Sequence, residues 1–455
     1  MPVHLPLPPL NRLPLPLRLA LFGLLERVSN WRRGRPASGT ADAASGRPVS
    51  RAAASLWVFA STIGEVHAIE PFLDRLRREL GDPPLTLISD RATYGDAYRV
   101  KFPQAQLEQL DGSTAQVKSL LARHPPLMLL VAEIPALLHD APCRLSFATL
   151  HAARSVGAPV VLVNGWVYGY PPPSRLDRIE NRLFGADYAA AFDLALVQTG
   201  AVRNALVAAG ADEARVHVTG NIKFDAMAPA AAGAPLAPLQ AALAGRGRGP
   251  VLVAGSVTET QHQRAVIEAF VQLRNSEPEA LLVLAPRHPE DVPRMTALRA
   301  MLETSGLDFR YRSQHLNDPG TAVAGDLLVL DTIGELRGSY ATADAAFVGV
   351  DHNVLEPLAF GKPTFVCDGW EPTYPSYPVY RQLRDAGVLC AVESLGQLGA
   401  AWEQHFAELR DGSSTEFSQH VQQVIEAARG AVGRSIEAMR RDGLLGAPRD
   451  TAAVP

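Results

Sequence analysis

Short, continuously apolar runs that alternate with helical patterns constrain the fold of this chain more than any other feature of its sequence. Six of these runs lie in the first half, at residues 55–61, 85–89, 127–133, 158–164, 194–198 and 216–220. Five more lie in the second half, at residues 251–256, 280–287, 327–331, 345–349 and 363–367. Such runs, each followed by a helix candidate, are typical of a mostly parallel sheet that helices cover on both faces. The sequence therefore predicts the α/β class.

A stretch rich in Ala, Gly and Pro at residues 228–250 separates the two series of runs. At roughly 100–200 residues per domain, a chain of 455 residues suffices for two α/β domains with sizeable cores. We therefore predict two Rossmann-like domains, at residues 51–227 and 250–425, that face a central cleft. Residues 426–455 are predicted to form a C-terminal helix and tail, with the helix packed back on the first domain. In open sheets of this kind, ligands bind outside the carboxyl ends of the strands.

The N-terminal segment, residues 1–40, differs from the rest of the chain in charge. It carries six arginines and one acid, whereas the whole chain has a net charge of −4. Six prolines exclude a helix through the first sixteen positions. From Leu17 onward, apolar residues fall near one helical face, and Arg18 and Arg27 lie off that face. This pattern predicts an amphipathic helix, which either lies in a membrane interface with its arginines at anionic headgroups or packs on the body of the protein.

The overall composition excludes several classes of protein. A pI near 6.3 and a net charge of −4 provide no chain-wide basic field, so no nucleic-acid partner is predicted. The three cysteines are far apart and lack CxxC spacing, which excludes a disulfide framework or a cysteine zinc site and indicates a reducing compartment. No run of eighteen uncharged apolar residues occurs, so no membrane-spanning helix is predicted.

Three ionisable residues of the first half stand at strand ends, and each has two interpretations. Glu65 follows the first apolar run, Glu133 ends the third, and Lys223 follows the sixth. Glu65 is either an acid that the helix N-terminus stabilises by about 0.3–1 kcal/mol or a general base. Glu133 is either a structural cap or part of a site that supplies its partner. Lys223 either forms a surface pair with Asp225 or reaches the cleft.

Strand ends of the second half carry groups that suit a nucleotide. Ser256 ends a strand and can open a helix whose N–H groups face an anion. Arg287 can bind a phosphate or the edge of a nucleobase. Asn353 and Glu356, three residues apart, form either a capping box or a helix start that binds a ribose and a phosphate. No second His or Cys stands at ligand spacing from His288, so no metal site is predicted.

Five sequence segments, taken in order, carry a more specific signal than any single residue. They are WVFASTIGE (57–65), GNIKFD (220–225), APRHPE (285–290), DTIGELRGSYATADAAFVG (331–349) and HNVLEPLAFGKP (352–363). They resemble the motifs of the Kdo (3-deoxy-D-manno-octulosonic acid) transferase family, which are lipid A-modifying glycosyltransferases of the GT-B fold. The resemblance extends over nearly the whole chain.

The resemblance implies an inverting transfer of Kdo from a CMP-Kdo donor to a glycolipid hydroxyl in lipopolysaccharide biosynthesis. It implies Glu65 as the base that takes the acceptor proton, and Glu133 and Lys223 as groups that stabilise the transition state. It calls for no cofactor or metal ion besides the donor substrate. The residues implied in CMP binding are Pro286, Arg287, Ile333, Gly334, Glu335, Asn353, Val354, Leu355 and Glu356, and Ser256 joins them by its place at a strand end.

The N-terminal segment also resembles the membrane-associating helix of this family. This resemblance implies a peripheral or monotopic protein on the cytoplasmic face of the inner membrane. A soluble donor would then meet a lipid acceptor at the membrane surface.

The chain departs from the family pattern mostly on the acceptor-facing side. After Glu133 the family reads Thr-Glu-Leu-Trp-Pro, whereas this chain has Ile-Pro-Ala-Leu at residues 134–137, and residues 164–168 lack an arginine that the family carries. These departures leave room for a different acceptor or a related CMP-linked ulosonic acid. Two other functions also stay open, namely a GT-B glycosyltransferase that uses a UDP-sugar and a non-catalytic paralogue that acts as a membrane-bound partner in envelope assembly.

Overall fold

A computed structural model of the chain divides it into two compact units. Unit 1 consists of residues 1–226 and 428–455, and unit 2 consists of residues 227–427. The structure describes residues 10–32, 54–60, 63–89, 95–110, 113–133, 145–166, 175–227, 237–372, 374, 376–410 and 414–446.

The described residues of unit 1 form seven strands and the helices that connect them. Its elements in chain order are α1 (Leu15–Arg32), β1 (Ser55–Phe59), α2 (Ile63–Leu80), β2 (Leu85–Ser89), α3 (Gly95–Lys101), β3 (Gln106–Gln109), α4 (Thr114–Arg123), β4 (Pro126–Ala132), α5 (Phe147–Ser155), β5 (Val160–Gly165), α6 (Arg175–Ala190), β6 (Leu194–Val197), α7 (Gly200–Ala208) and β7 (Val216–Val218). Short 3₁₀ turns lie at Leu10–Arg12, Glu213–Arg215 and Ile222–Met227.

All seven strands of unit 1 are parallel and follow the order β3-β2-β1-β4-β5-β6-β7. The chain therefore builds outward in one direction from β1 and then in the other direction from β4. The point between β1 and β4 is a topological switch, and the crevice outside the carboxyl ends of two such strands is where open α/β sheets bind ligands.

Both faces of this sheet are covered, which explains why its strands read as unbroken apolar runs. All five residues of β1 are buried. Trp57 and Phe59 belong to one core cluster, together with Phe22 of α1 and residues of α4, α5 and α6. Leu56 and Val58 point to the other cluster, which α2 helps to form.

Unit 2 repeats the architecture with seven strands of its own. Its elements are α8 (Pro238–Ala244), β8 (Val251–Val257), α9 (Thr260–Leu273), β9 (Leu281–Pro286), α10 (Val292–Ser305), β10 (Phe309–Tyr311), α11 (Pro319–Ala322), β11 (Leu327–Val329), α12 (Leu336–Thr342), β12 (Ala345–Val348), α13 (Leu355–Leu358), β13 (Thr364–Cys367), α14 (Tyr377–Asp385), β14 (Cys390–Val392), α15 (Leu398–Arg410) and α16 (Ser414–Ala428). Short 3₁₀ turns lie at Arg312–His315 and Leu395–Gln397.

The second sheet is also parallel, with the order β10-β11-β9-β8-β12-β13-β14. Its switch point lies between β8 and β12. The apolar cluster on one face joins residues of β8, β9, β12 and β13 to the helices α9, α10 and α15. The carboxyl ends of β8 and β12 therefore define the expected ligand edge of this unit.

One helix beyond unit 2 returns to unit 1. This helix, α17 (Ala431–Arg441), places Ile436 and Met439 in the same core cluster as α2. Asp225 accepts hydrogen bonds from the backbone N–H groups of Gly430 (2.6 Å) and Val432 (2.5 Å), so its carboxylate stabilises the start of α17.

All eleven predicted strands are present, and three additional strands were not predicted. The additional strands are β3, β10 and β14, which are edge strands of three or four residues. Their residues are largely exposed or only half-buried, so they carry no apolar run that a sequence pattern could reveal.

The N-terminal helix begins two residues earlier than predicted, at Leu15, and it includes Pro16. A proline is tolerated in the first turn because the N–H group it lacks has no partner there. The predicted headgroup position of Arg18 is wrong. Its guanidinium is buried, donates to the backbone oxygen of Leu183 (2.5 Å) and pairs with Asp187 (2.5 Å) of α6.

The two long sides of α1 differ in their surroundings. Phe22 is buried in the core of unit 1, and Glu26 accepts hydrogen bonds from Thr114 at the start of α4. On the opposite side, Leu17, Leu24 and Val28 are 52%, 58% and 43% exposed. The helix thus packs on the body and also presents an apolar stripe to the outside. Within the described part of the chain, no helix is long and apolar enough to cross a membrane.

Candidate active site

The switch point of unit 1 brings two predicted catalytic acids to neighbouring strand ends. Glu65 lies in the first turn of α2, directly after β1, and Glu133 follows β4. Their residues are only 5% and 3% exposed. A strand order that places β1 beside β4 therefore puts both acids at the edge where a ligand is expected.

The buried Glu133 forms an ion pair with Lys223, which is half-buried. The ammonium nitrogen of Lys223 lies 2.8 Å from Oε1 of Glu133, and the Glu133 side chain is 4% exposed. The alternative in which Lys223 pairs with Asp225 is wrong, because the Asp225 carboxylate is engaged at the start of α17. The structure thus brings together two of the three predicted catalytic residues, at the ends of β4 and β7.

Three carboxamides link this ion pair to neighbouring strand ends. Nδ2 of Asn164 donates to Glu133 Oε1 (2.9 Å) and to Asn221 Oδ1 (3.3 Å). Oδ1 of Asn164 accepts from the backbone N–H of Ile222 (2.9 Å). Gln198 closes the network, accepting from Asn221 (2.9 Å) and donating to the backbone oxygen of Asn164 (3.0 Å). Because every amide group has a partner, the network holds the Glu133 carboxylate in one orientation.

Left-handed backbone conformations cluster at the strand ends of both units. Five non-glycine residues at or just after these ends have φ between 55° and 64°, and they are Glu133, Asn164, Ser256, His288 and Asp351. A non-glycine residue in this region costs of order 1–3 kcal/mol and persists only where the surrounding structure imposes it. The strain is thus concentrated at the two predicted ligand edges.

Two glycines allow close packing around the carboxyl end of β8, at the switch point of unit 2. A Cβ on Gly349, just after β12, would overlap the backbone oxygen of Ser256. A Cβ on Gly255 would overlap the buried hydroxyl of Tyr340. Glycine is required at both positions because backbone and a ring fill the space that a side chain would occupy.

Arg287 and Pro286 stand at the end of β9, next to this switch point. Pro286 is buried as the last residue of the strand, whereas Arg287 is exposed. Nη1 of Arg287 lies 2.9 Å from Nδ1 of His352, and Nε2 of His352 lies 2.9 Å from Oγ1 of Thr258. Burial and the nearby positive charges of Arg287 and His288 lower the pKa of His352 to about 3.

The segment 332–335 forms a second element of the predicted nucleotide site. The single Nε–H of the buried Arg312 is shared between the two carboxylate oxygens of Glu335 (3.1 Å each), and Oε2 of Glu335 also accepts from Thr332 (2.5 Å). Ile333 is 88% exposed, and Gly334 has φ of 98°. The segment therefore has an anchored base and an open tip that can contact a flat ligand.

The segment 353–356 begins the short helix α13. Nδ2 of Asn353 donates to Oε1 of Glu356 (3.3 Å), and Oδ1 of Asn353 accepts from the N–H of Leu355 (3.2 Å). Val354 and Leu355 are buried and fix the segment on the core. Burial raises the pKa of Glu356, against the opposing effects of the Asn353 hydrogen bond and of Arg337.

Several residues that shape these edges were not predicted from the sequence. The carboxamides Asn164, Gln198 and Asn221 carry no charge, and nothing in their spacing distinguishes them from ordinary turn residues. Arg312 resembles any other arginine in sequence, although its side chain is only 4% exposed. The sequence feature that could have identified the three carboxamides is their position, because each stands at the end of a predicted strand or directly after it. Among the described residues, no group of three or more His, Cys, Asp or Glu side chains is arranged to hold a metal ion.

Comparisons with known proteins agree with the architecture. Residues 31–226 match the family described as 3-deoxy-D-manno-octulosonic-acid transferase (kdotransferase). The 3-deoxy-D-manno-octulosonic acid transferase of Bordetella pertussis is 32% identical over 76% of this chain and 81% of its own length. The same enzyme of Aquifex aeolicus is 27% identical over 68% of this chain and 74% of its own length.

Solved structures resemble the fold at low sequence identity. The structure of MnaA from S. aureus with UDP covers 88% of this chain and 100% of its own, with 15% identity and a TM-score of 0.56. A glycosyltransferase from Rickettsia africae covers 86% of this chain and 98% of its own, with 11% identity and a TM-score of 0.56. Both resemblances concern the arrangement of the backbone.

Proposed function

Because the chain belongs to the 3-deoxy-D-manno-octulosonic acid transferase family, we propose that it moves Kdo, or a related ulosonic acid, from CMP-Kdo to a lipid A-type glycolipid in lipopolysaccharide biosynthesis. The observation that carries the proposal is the Glu133–Lys223 pair, held at the strand end next to the one that bears Glu65. Paired and oriented charges at a switch point suit a reaction in which charge develops in the transition state.

In the proposed reaction, the Glu65 carboxylate takes the proton of an acceptor hydroxyl. The acceptor oxygen forms a bond to the anomeric carbon of Kdo as the bond from that carbon to the phosphate oxygen breaks. The electron pair of the broken bond leaves with the phosphate as CMP, and this single displacement inverts the configuration. A carboxylate just after β1 that is largely shielded from water suits a base of this kind.

Glu133 and Lys223 act on the charges that develop during this step. The breaking bond leaves positive character on the sugar, which a carboxylate stabilises, and adds negative charge to the phosphate, which an ammonium group stabilises. The carboxamide network supports these roles, because it fixes the carboxylate before the substrate arrives.

The nucleotide half of the donor is assigned to unit 2. Arg287 meets the phosphate, the open tip at Ile333 and Gly334 contacts the nucleoside, and Glu356 receives the ribose hydroxyls. Ser256 and Pro286 line the same edge, at the ends of β8 and β9. The exposure of Arg287 and Ile333 supports this assignment, because both are accessible to a ligand.

The acceptor is a lipid, and α1 provides a surface for it. The exposed stripe of Leu17, Leu24 and Val28 lies against the cytoplasmic face of the inner membrane in this proposal. Exposed Arg27 on the same helix favours anionic headgroups. The glycolipid would then be reached without its leaving the bilayer.

A transfer assay with two matched variants tests the proposal. Purified protein is given CMP-Kdo and a lipid A precursor, and the product is measured by mass spectrometry. Glu65→Gln is expected to lower the rate roughly 100- to 10,000-fold, the range in which a general base contributes. Glu79→Gln is the control, because Glu79 lies at the other end of α2 and pairs with Arg75 and Arg440. Equal rates for wild type and Glu65→Gln would remove Glu65 from its role.

Two further outcomes separate the competing functions. Thermal stabilisation by UDP and not by CMP would indicate a UDP-sugar enzyme. Stabilisation by CMP with no transfer to any supplied glycolipid would indicate a non-catalytic paralogue. Either result would contradict the proposed function.

A further inference from the structure

Arg287 has an unusual partner for an exposed arginine of this protein. Its Nη1 lies 2.9 Å from Nδ1 of His352. Arg287 follows β9 and His352 follows β12, so the two residues lie on opposite sides of the switch point between β8 and β12. A guanidinium group has five N–H donors and no acceptor, so it can only donate. Nδ1 of His352 must therefore be the acceptor, and the imidazole proton must reside on Nε2.

The position of this proton determines the next contact. Nε2–H of His352 donates to Oγ1 of Thr258, 2.9 Å away, and the hydroxyl of Thr258 can in turn donate to the backbone oxygen of Ser256 at 3.4 Å. Every hydrogen bond in this series runs from Arg287 toward the backbone of β8. The series thus fixes both the tautomer of the imidazole and the direction of the guanidinium.

The neutral imidazole leaves the charge of Arg287 unbalanced. Most other described arginines of unit 2 pair with carboxylates, as Arg312 does with Glu335 and Arg384 with Asp368. Within the described residues, no carboxylate lies within ion-pair distance of Arg287. A pKa of about 3 for His352 means that the ring stays uncharged at neutral pH. An exposed, oriented and unbalanced guanidinium at a switch point suits a phosphoryl group.

We propose that His352 and Thr258 are positioning residues that hold Arg287 for the phosphoryl group of a nucleotide. They do not touch the reacting atoms. They orient the cation by accepting its hydrogen bond without cancelling its charge, so that the unit distinguishes a nucleotide from the corresponding nucleoside. The identity of the nucleotide rests on the proposed function, whereas the orientation of Arg287 does not.

A comparison of CMP with cytidine by titration calorimetry tests this proposal. Wild type is expected to bind CMP more tightly than cytidine, because only CMP meets Arg287. His352→Phe keeps an aromatic ring but removes the acceptor, and Thr258→Val keeps the shape but removes the hydroxyl. Each variant is expected to weaken CMP binding about 10-fold, the size of a hydrogen bond to a charged group, and to leave cytidine binding unchanged.

His288→Asn provides the matched control. His288 is also a histidine next to Arg287, but its hydrogen bond goes to Glu290, and asparagine tolerates its left-handed φ of 58°. The control is expected to bind both ligands as wild type does. CMP affinity unchanged in His352→Phe would overturn the proposal, and so would an equal loss of CMP and cytidine binding.

Two measurements keep the proposal testable if the donor is not a cytidine nucleotide. If wild type does not bind CMP, the proposed donor is wrong. The affinities for UMP and uridine are then compared in the same way. A wild type that prefers neither nucleotide over its nucleoside would overturn the role of Arg287. Imidazole ¹⁵N shifts of His352, assigned with the His352→Phe variant, are expected to show a neutral ring protonated at Nε2 at about pH 5, since the pKa lies near 3. A charged ring or the other tautomer would contradict the series of hydrogen bonds.

Discussion

The ligand edges of the two units handle charge in opposite ways. At the edge of unit 1, Glu133 and Lys223 neutralise each other, and buried carboxamides hold the carboxylate. At the edge of unit 2, Arg287 is exposed and its partner is an uncharged imidazole. The contacts of the first edge are therefore complete within the protein, whereas the proposed function assigns an anion to the second edge. A glycosyl transfer needs both kinds of edge. Charges that are already oriented stabilise the transition state, and an accessible cation binds the leaving phosphate.

Breaking the ion pair of unit 1 is expected to have the largest effect. Lys223→Met leaves the Glu133 carboxylate buried without its cation, so the free energy of unfolding should fall by about 3–5 kcal/mol. The transfer rate should fall at least about 100-fold, because an oriented charge is lost. Urea unfolding and the transfer assay measure the two effects.

A double variant sharpens this result. Glu133→Gln combined with Lys223→Met removes both charges and should recover part of the lost stability without recovering activity. A double variant as unstable as Lys223→Met alone would show that the pair does not carry the stability of this edge.

Filling the space beside Gly349 in unit 2 is expected to have an intermediate effect on stability and on CMP binding. The methyl group of Gly349→Ala would overlap the backbone of Ser256, and overpacking of this kind costs about 1–3 kcal/mol. CMP binding should weaken as well, because the carboxyl end of β8 and the segment after β12 are pushed apart. Thermal unfolding and calorimetry check both expectations.

Gly433→Ala is the control for the glycine variant. Gly433 lies within α17, and nothing occupies the space that a Cβ would fill. Alanine should stabilise this helix by up to about 1 kcal/mol. Equal stability of the two variants would show that the contact at Gly349 is easily relieved.

The smallest effect on stability is expected at the outer face of α1. Replacing Leu17, Leu24 and Val28 together by serine removes an exposed apolar stripe, so the free energy of unfolding should hardly change. Binding to anionic liposomes should fall at least about 10-fold, because each buried side chain contributes to membrane affinity. A sedimentation assay with vesicles measures this loss.

The control for the membrane variant is Leu316→Ser. Leu316 is an exposed leucine of unit 2 (55% exposed) that is not part of α1, and its replacement should leave vesicle binding unchanged. Unchanged binding of the triple variant would show that the exposed stripe of α1 does not contact the bilayer.

The sequence allowed most of the fold to be predicted, because strands that are buried on both faces must be apolar throughout. The two α/β units of the GT-B class and the family are confirmed. The edge strands escaped prediction since exposed residues of β3 need not be apolar. For α1, the spacing of apolar residues indicated a helix, but it did not show which side of the helix packs on the body of unit 1. Arg18 and Glu26 bind partners on distant helices, and no local pattern encodes such contacts.

The candidate site was predictable to a different extent. Glu65, Glu133 and Arg287 stand out because they are ionisable residues at or near the ends of apolar runs, where a buried carboxylate needs a partner and an exposed guanidinium can meet a ligand. The pairing of Glu133 with Lys223 depends on the neighbouring positions of distant strand ends, which only the fold shows. The catalytic role of Glu65 and the binding roles of the nucleotide residues stay predictions for the assays above.

The return of α17 to unit 1 has a consequence for synthesis of the protein on the ribosome. Unit 2 is continuous from residue 227 to residue 427, so it can fold as soon as that stretch has emerged. Unit 1 begins earlier in the chain but lacks Ile436 and Met439 until all of unit 2 has been translated. The unit whose synthesis starts first is therefore the unit whose core is completed last. Until α17 is translated, one apolar face of its sheet is incompletely covered.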